Sequence, residues 1–243
     1  MRTLPVVRFI TLIVTVTVAP GLMTNGYAVA QTVAQAAGTA TVKKPTEIRI
    51  ANAPIPMRIL VQSPAETETE LQIICLFRSE PANTLHGSLV ETNEKLKGLL
   101  DRIRTPALFG GEWGETLLIT PPAGSLRAQR VLIIGLGDAR TFAPARMELV
   151  GLIAYREASR LGVTHPFFAP TVIDGGVSGF ATGDVAERVV RGFLRGARTE
   201  RVITESGAAG GAVIQEFTFL AGAQHAGDTQ QGIEKAIAAD GRE

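Results

Sequence analysis

Cysteine is nearly absent from this 243-residue chain, with Cys75 as the single example. One thiol excludes an internal disulfide and any cysteine-rich zinc cluster. Histidine is scarce too: His86, His165 and His225 lie far apart, and no HExxH or other local metal signature occurs, so no metal or other cofactor is expected. An excess of one charge is also missing, since 24 Lys plus Arg stand against 23 Asp plus Glu, net +1. Such a chain carries no global field to draw it onto nucleic acid. No apolar run approaches the roughly 18–20 residues that a membrane-spanning helix needs. What the chain does have is 45% hydrophobic and 19% charged residues. That is the composition of a globular protein and too apolar for a disordered one.

The first thirty residues read differently from the rest. Arg2 and Arg8 give a positive start, and residues 9–19 (FITLIVTVTVA) follow without a charge. Pro20 and Gly21 break the run, and Ala28-Val29-Ala30 offers a small-x-small cleavage site before Gln31. This is the layout of a secretory signal peptide, with a short buried helix or an uncleaved anchor as the alternatives. No cysteine stands at the end of the apolar run, which excludes a lipoprotein anchor. The expected mature protein is therefore periplasmic or secreted, with 22 basic and 23 acidic residues. Residues 31–46 (QTVAQAAGTATVKKPT) are small and polar without periodicity and read as a flexible leader. The folded domain is expected over residues 47–243, long enough for one sizeable core.

Along that domain strands and helices alternate. Residues 55–61 (IPMRILV), 71–77 (LQIICLF), 115–120 (ETLLIT) and 130–135 (RVLIIG) are apolar runs between turn residues and predict strands. Further strands are predicted over residues 168–173 and 215–221. Leu89, Leu96, Leu100 and Ile103 recur at helical spacing and predict one helix over residues 89–104. Other helices are predicted over 144–161, over 184–198 with Thr182 or Asp184 as cap, and over 228–239 with Asp228 as cap. Alternating elements with wholly apolar strands argue an α/β layered fold, and the early strand pair without an intervening helix argues a mixed sheet.

The segment from Gly110 to Val163, with its glycine-flanked strand and the Arg130-Val131-Leu132-Ile133-Ile134-Gly135-Leu136-Gly137 block, resembles the N-terminal domain of the leucyl aminopeptidase (cytosol aminopeptidase) family. Gly192-Phe193-Leu194-Arg195-Gly196-Ala197 is similar to the helix that closes that domain. The resemblance implies a three-layer, macro-domain-like α/β fold with a mixed sheet between helices. It does not imply peptidase activity. The family's catalysis belongs to a second domain with a two-metal site and an Asn-Thr-Asp-Ala-Glu-Gly-Arg motif, and that motif does not occur in this sequence. Two metals at about 3.5–4 Å need several converging carboxylates, and no segment offers such a cluster.

Three groups of residues are candidate sites. Gly135, Gly137 and Asp138 follow a strand, where glycines let a ligand approach the backbone, or simply make a tight turn. Gly175, Gly176, Ser178 and Gly179 lie in a glycine-rich loop feeding a helix, where N–H groups at the positive end of the dipole suit an anion. That loop is similar to the diphosphate loop of ADP-ribose-binding macro domains, although a plain surface loop is the competing reading. Arg188, Arg191, Arg195 and Arg198 fall on one helix face, either solvated among unseen carboxylates or offered to an acidic partner. Cys75, inside an apolar strand, should be a buried and inert thiol. The expected function is that of an exported, non-catalytic domain binding a protein partner or small anionic ligand. The alternatives are an ADP-ribose-type phosphoester binder or hydrolase, and a regulatory or assembly subunit of a separate metallo-aminopeptidase.

Overall fold

The computed structural model describes residues 45–80, 84–208 and 210–241. The expected signal peptide, and the leader up to residue 44, lie outside the described residues. The first strand, β1 (Thr46–Ile50), starts at the last residue assigned to the leader. Only Ile50 of β1 is buried, so its sequence carries little of the apolar pattern that marks the other strands.

The remaining elements follow in the order β2 (Met57–Val61), β3 (Gln72–Leu76), α1 (Gly87–Lys95), α2 (Leu99–Ile103), β4 (Thr116–Ile119) and β5 (Val131–Gly135). After them come α3 (Met147–Arg160), β6 (Phe167–Phe168), α4 (Thr182–Glu205), β7 (Phe217–Leu220) and α5 (Ala226–Asp240). The seven strands form one sheet in the order β1-β2-β7-β6-β3-β5-β4. The five inner strands are parallel, and β1 and β4 run antiparallel on the two edges. Every residue of β3 and β5 is buried, as expected where both faces of a parallel sheet are covered. One face packs Ile73, Cys75, Ile134 and Phe219 against α3, α4 and α5. The other packs Ile74, Leu76 and Ile133 against Leu89, Leu96 and Leu100 of the α1–α2 segment. The fold is thus a three-layer α/β sandwich with a mixed sheet.

Two expected elements are corrected. The single helix over residues 89–104 is two, because Lys97 (φ 54°) and Gly98 (φ 73°) adopt left-handed backbone. The Asn93 side chain holds that break, accepting from the Leu100 N–H at 2.9 Å and donating to Asp101 at 2.7 Å. The strand expected over 168–173 ends at Phe168. Beyond it the Thr171 hydroxyl donates to the Cys75 carbonyl at 2.6 Å and accepts the Cys75 N–H at 2.9 Å. A side chain thus takes over the ladder bonds that the backbone would have made, freeing the chain to leave the sheet.

The helical layer is tight where α3 crosses α4. A Cβ on Gly151 would strike the Val189 carbonyl, and one on Gly192 would strike the Glu148 carbonyl. Both positions need glycine for backbone-to-backbone approach. Tyr155 of α3 then meets Phe193 of α4 edge-on at 5.1 Å.

Candidate functional site

The five parallel strands end on one rim of the sheet, and a cleft opens there. It has a volume of about 400 Å³. Its walls are the segments that follow β2, β6 and β7, with Ser88 of α1 and the first turn of α4. Val172, Val185 and Phe219 give it an apolar body. Gln62, Asp174, Thr182 and His225 supply polar edges. Neither arginine nor lysine lines it among the described residues. A carboxyl rim of parallel strands is where open α/β sheets usually bind ligands, and a mostly apolar hollow with a few polar groups is the usual form of a small-molecule site.

The β6–α4 loop shapes the cleft. Thr171 has φ 47°, a left-handed conformation uncommon for a β-branched residue. Its two bonds to Cys75 hold it there. Asp174 then lies over the start of α1: its carbonyl accepts the His86 N–H at 2.8 Å, and its carboxylate accepts from the Ser88 hydroxyl. An acid therefore stands at the positive end of α1, on the wall of the cleft.

Neither Thr182 nor Asp184 caps α4. Asp228, from the first turn of α5, accepts from the Gly183 N–H at 3.2 Å and from the Thr182 hydroxyl at 2.9 Å. These bonds hold the Asp228 carboxyl below the usual carboxylate range, the Gly183 bond most of all. The residue that the sequence predicts as the cap of α5 thus neutralises the start of α4 instead. An anion at α4 would have to use the loop ahead of the helix rather than its first turn. There the N–H groups of Ser178, Gly179, Phe180 and Ala181 make no hydrogen bond among the described residues.

The two glycine-bearing segments come to the same rim, either side of the end of β3. Phe77 meets Phe142 edge-on at 5.5 Å, and Phe142 meets Phe180 at 5.5 Å, so an aromatic ladder joins the segments. None of Gly135, Gly137, Asp138, Gly175, Gly176, Ser178 and Gly179 lines the cleft itself. Gly135 lies against the backbone of Gly111 and Glu112, and Gly137 against Trp113. The Asp138 carboxylate accepts the Arg140 N–H at 2.8 Å and its guanidinium Nε at 3.0 Å, which holds that carboxyl down to about 2. Gly175 is packed on the Phe77 ring, while Ser178 and Gly179 are exposed. The cleft walls after β2 and β7 are not among the residues that the sequence pattern marks as a site. Cys75 is fully buried, and burial pushes its thiol far above the ordinary range.

The arginine face of α4 meets acids of α3, of α5 and of α4 itself. Arg188 and Arg195 approach Glu148 of α3 at 3.7 and 3.1 Å. Arg191 approaches Glu187 at 3.7 Å, and Arg198 pairs with Asp240 of α5. Among the described residues no group of three His, Cys, Asp or Glu is placed to hold a metal ion, and no helix is long and apolar enough to cross a membrane.

The strand order and the rim cleft define a macrodomain-like α/β domain. Residues 73–198 match the family described as cytosol aminopeptidase family, N-terminal domain, and the chain belongs to that family. A tomato leucine aminopeptidase mutant superposes with a TM-score of 0.57 at 16% identity, over 82% of this chain and 38% of that one. The chain thus spans well under half the length of that enzyme. A mutant macrodomain of Oceanobacillus iheyensis gives 0.52 at 14% identity, over 82% of this chain and 98% of that one. The Trypanosoma brucei macrodomain in complex with ADP gives 0.50 at 15% identity, over 74% and 68%. At these identities the likeness concerns the fold alone. Among curated proteins none matches the chain.

Proposed function

We propose that this chain is a non-catalytic binding domain whose rim cleft takes a small nucleoside-type ligand. The observation that carries the reading is the cleft of about 400 Å³ at the carboxyl ends of parallel strands, apolar in its body and polar at its edges. Macrodomains of the same fold have been solved with ADP, which makes adenosine compounds the first probes. The phosphates of such a ligand would meet the N–H groups of Ser178 to Ala181, since Asp228 already occupies the first turn of α4. Asp174 on the cleft wall disfavours a phosphate beside α1. The non-catalytic part of the reading rests on the missing two-metal motif.

The test is a thermal-shift and calorimetric comparison of adenosine, ADP and ADP-ribose. At a hundredfold excess over Kd, a ligand of the native state stabilises by about 2.7 kcal/mol. Ala221→Trp, which fills the cleft, should remove that gain. A protein indifferent to all three compounds at millimolar concentration would refute the reading. Conversion of ADP-ribose, abolished by the same substitution, would turn it into an enzyme.

The location proposed is the periplasm or the medium, on the charged start, apolar run and small-x-small site of residues 1–30. Intact mass spectrometry of exported material tests it, and a mass retaining Met1 would make the segment an anchor. Family membership supports a second reading, assembly with a separate metallo-aminopeptidase, tested by co-purification from the native source.

A further inference from the structure

Strand β1 ends the sheet on one side and is paired through β2 alone among the described residues. Its outer row of N–H and carbonyl groups faces no further strand, and an open row of that kind is a template for one. The two faces of β1 differ. Ile48 and Ile50 turn toward the layer of α3, α4 and α5, where α5 packs against the strand and Ile48 and Ile237 stay only partly buried. Glu47 and Arg49 turn to the opposite face, where Arg58 of β2 meets Glu47.

The charges on that face are self-complementary. Laid antiparallel on a second copy of itself about Ile48, the strand sets Glu47 opposite Arg49 of the second copy and Arg49 opposite Glu47 of the second copy. Centring on Glu47 or on Arg49 instead sets two like charges face to face, which is unfavourable. Glu47 is already fixed for the role. Arg58 holds one of its oxygens at 3.0 Å and is itself bound to Thr218 at 3.0 Å and to Glu216 at 2.9 Å. Arg49 reaches the other oxygen at 2.8 Å but is 77% exposed, so this pairing along its own strand is weak and is readily exchanged for one across. Arg49 also lies opposite Arg58 in the ladder, a like-charge pair that a second carboxylate relieves. The other edge strand, β4, carries no charge, and nothing there singles out a register.

We propose that β1 is the contact of a symmetric dimer, in which β1 of a second copy of this chain adds to the sheet antiparallel and in the register centred on Ile48. One continuous sheet then runs through both molecules. The two-fold axis stands perpendicular to the sheet, so the helical layers of the two copies stay on the same sides. Ile48 meets Ile48 beneath the two α5 helices and closes the partly apolar fringe there. The axis also reverses strand direction, so the two rim clefts open on opposite edges of the joined sheet. Main-chain bonds supply the affinity, and the crossed Glu47–Arg49 pairs supply the register. Two five-residue strands cover little area beside the roughly 1,600 Å² of a standard stable interface, so the dimer forms and dissociates with concentration.

The experiment is sedimentation velocity on the purified chain over a concentration series, with chemical crosslinking beside it. The expected result is a monomer–dimer equilibrium. Arg49→Glu turns both crossed pairs into like-charge pairs and should weaken the dimer at least about tenfold. It also sets a carboxylate opposite Arg58, so the fold itself is not weakened. Crosslinking reads the register. Opposite Cβ atoms of an antiparallel pair stand roughly 5 Å apart, so Ile48→Cys should join two chains through a short thiol-reactive linker. Thr46→Cys should not, because its two copies would lie about 14 Å apart along the strands. Cys75 is fully buried and adds no product. The inference is overturned by a chain that stays monomeric at every concentration. It is overturned equally by a dimer that Arg49→Glu leaves intact, or by Thr46→Cys crosslinking as readily as Ile48→Cys. A dimer lost on Leu118→Lys and kept on Arg49→Glu would place the contact on β4 instead.

Discussion

Gly135 and Gly179 stand at the same rim of the sheet, in segments that look alike on paper. A Cβ at Gly135 would run into the backbone of Gly111 and Glu112, whereas one at Gly179 would meet nothing within 4 Å. The first segment is clamped on all sides: the Arg78 N–H donates to the Gly137 carbonyl at 2.9 Å, and the Gly137 N–H donates to the Gly111 carbonyl at 2.8 Å. The second is open, with Gly176 (φ 88°) and Gly179 (φ 97°) using backbone space that other residues avoid. Glycine after a strand can therefore mean contact with another stretch of the protein or exposure to a ligand. The neighbours of the loop decide which, and the loop sequence does not.

The contrast is broken most directly at Gly135. Valine there has to displace backbone rather than a flexible side chain, and should cost about 3 kcal/mol, read as a lower urea midpoint with an unchanged slope. Tolerance of valine would mean that the 110–114 segment yields, and the clamped segment would no longer differ from the open one. A smaller effect is expected at Thr171, the joint between the sheet and the open loop. Thr171→Val keeps the shape and removes both bonds to Cys75, leaving a buried N–H and carbonyl with one partner fewer. It should cost about 2 kcal/mol and weaken cleft ligands as well. A stability loss without any change in cleft binding would separate that joint from the site.

Much of this fold is legible in the sequence, because buried strands such as residues 131–135 and long amphipathic helices such as α4 carry strong periodic signals. The short and exposed elements are not. β1 has one buried residue, β6 has two residues, and the break after Lys95 depends on the Asn93 side chain reaching Leu100. The site is less legible still. Its cleft is assembled from the ends of three strands distant in sequence, and apolar wall residues such as Val172 and Phe219 look like core. The capping of α4 by Asp228 is a contact between residues 45 apart, beyond any local cap rule. The carboxylates that meet the arginine face, Glu148 and Asp240, lie on other helices for the same reason.

Gly179→Ala sharpens the comparison from the open side. Nothing crowds the new methyl group, so only the backbone conformation resists it, at about 1 kcal/mol. The core should be untouched and the denaturation slope unchanged. If the N–H groups of Ser178 to Ala181 receive a phosphate, ADP should bind more weakly to this variant while adenosine binds as before. Equal losses for both compounds would place the loop in contact with the nucleoside instead.

The smallest effect concerns Asp138, which closes the clamped segment. Its carboxylate is held down to about 2, chiefly by the hydrogen bonds from the Arg140 side chain and then by that from the Arg140 backbone. In the unfolded chain an aspartate titrates near ~3.9. A carboxyl whose folded value is depressed contributes stability that is fully present above the unfolded value. That contribution falls away as pH drops from about 4 toward about 2. Arg140 is largely exposed, so solvent screens the pair and the contribution is modest. Asp138→Asn should therefore be slightly less stable than the wild type at neutral pH, and the gap should close over that acid window. Urea midpoints for the two proteins at neutral pH and at pH about 2.5 decide the matter. A gap that stays constant with pH would mean that side-chain shape matters there rather than charge. No gap at any pH would mean that Asp138 does not hold the turn, leaving its carboxylate open to a ligand and the two glycine segments alike after all.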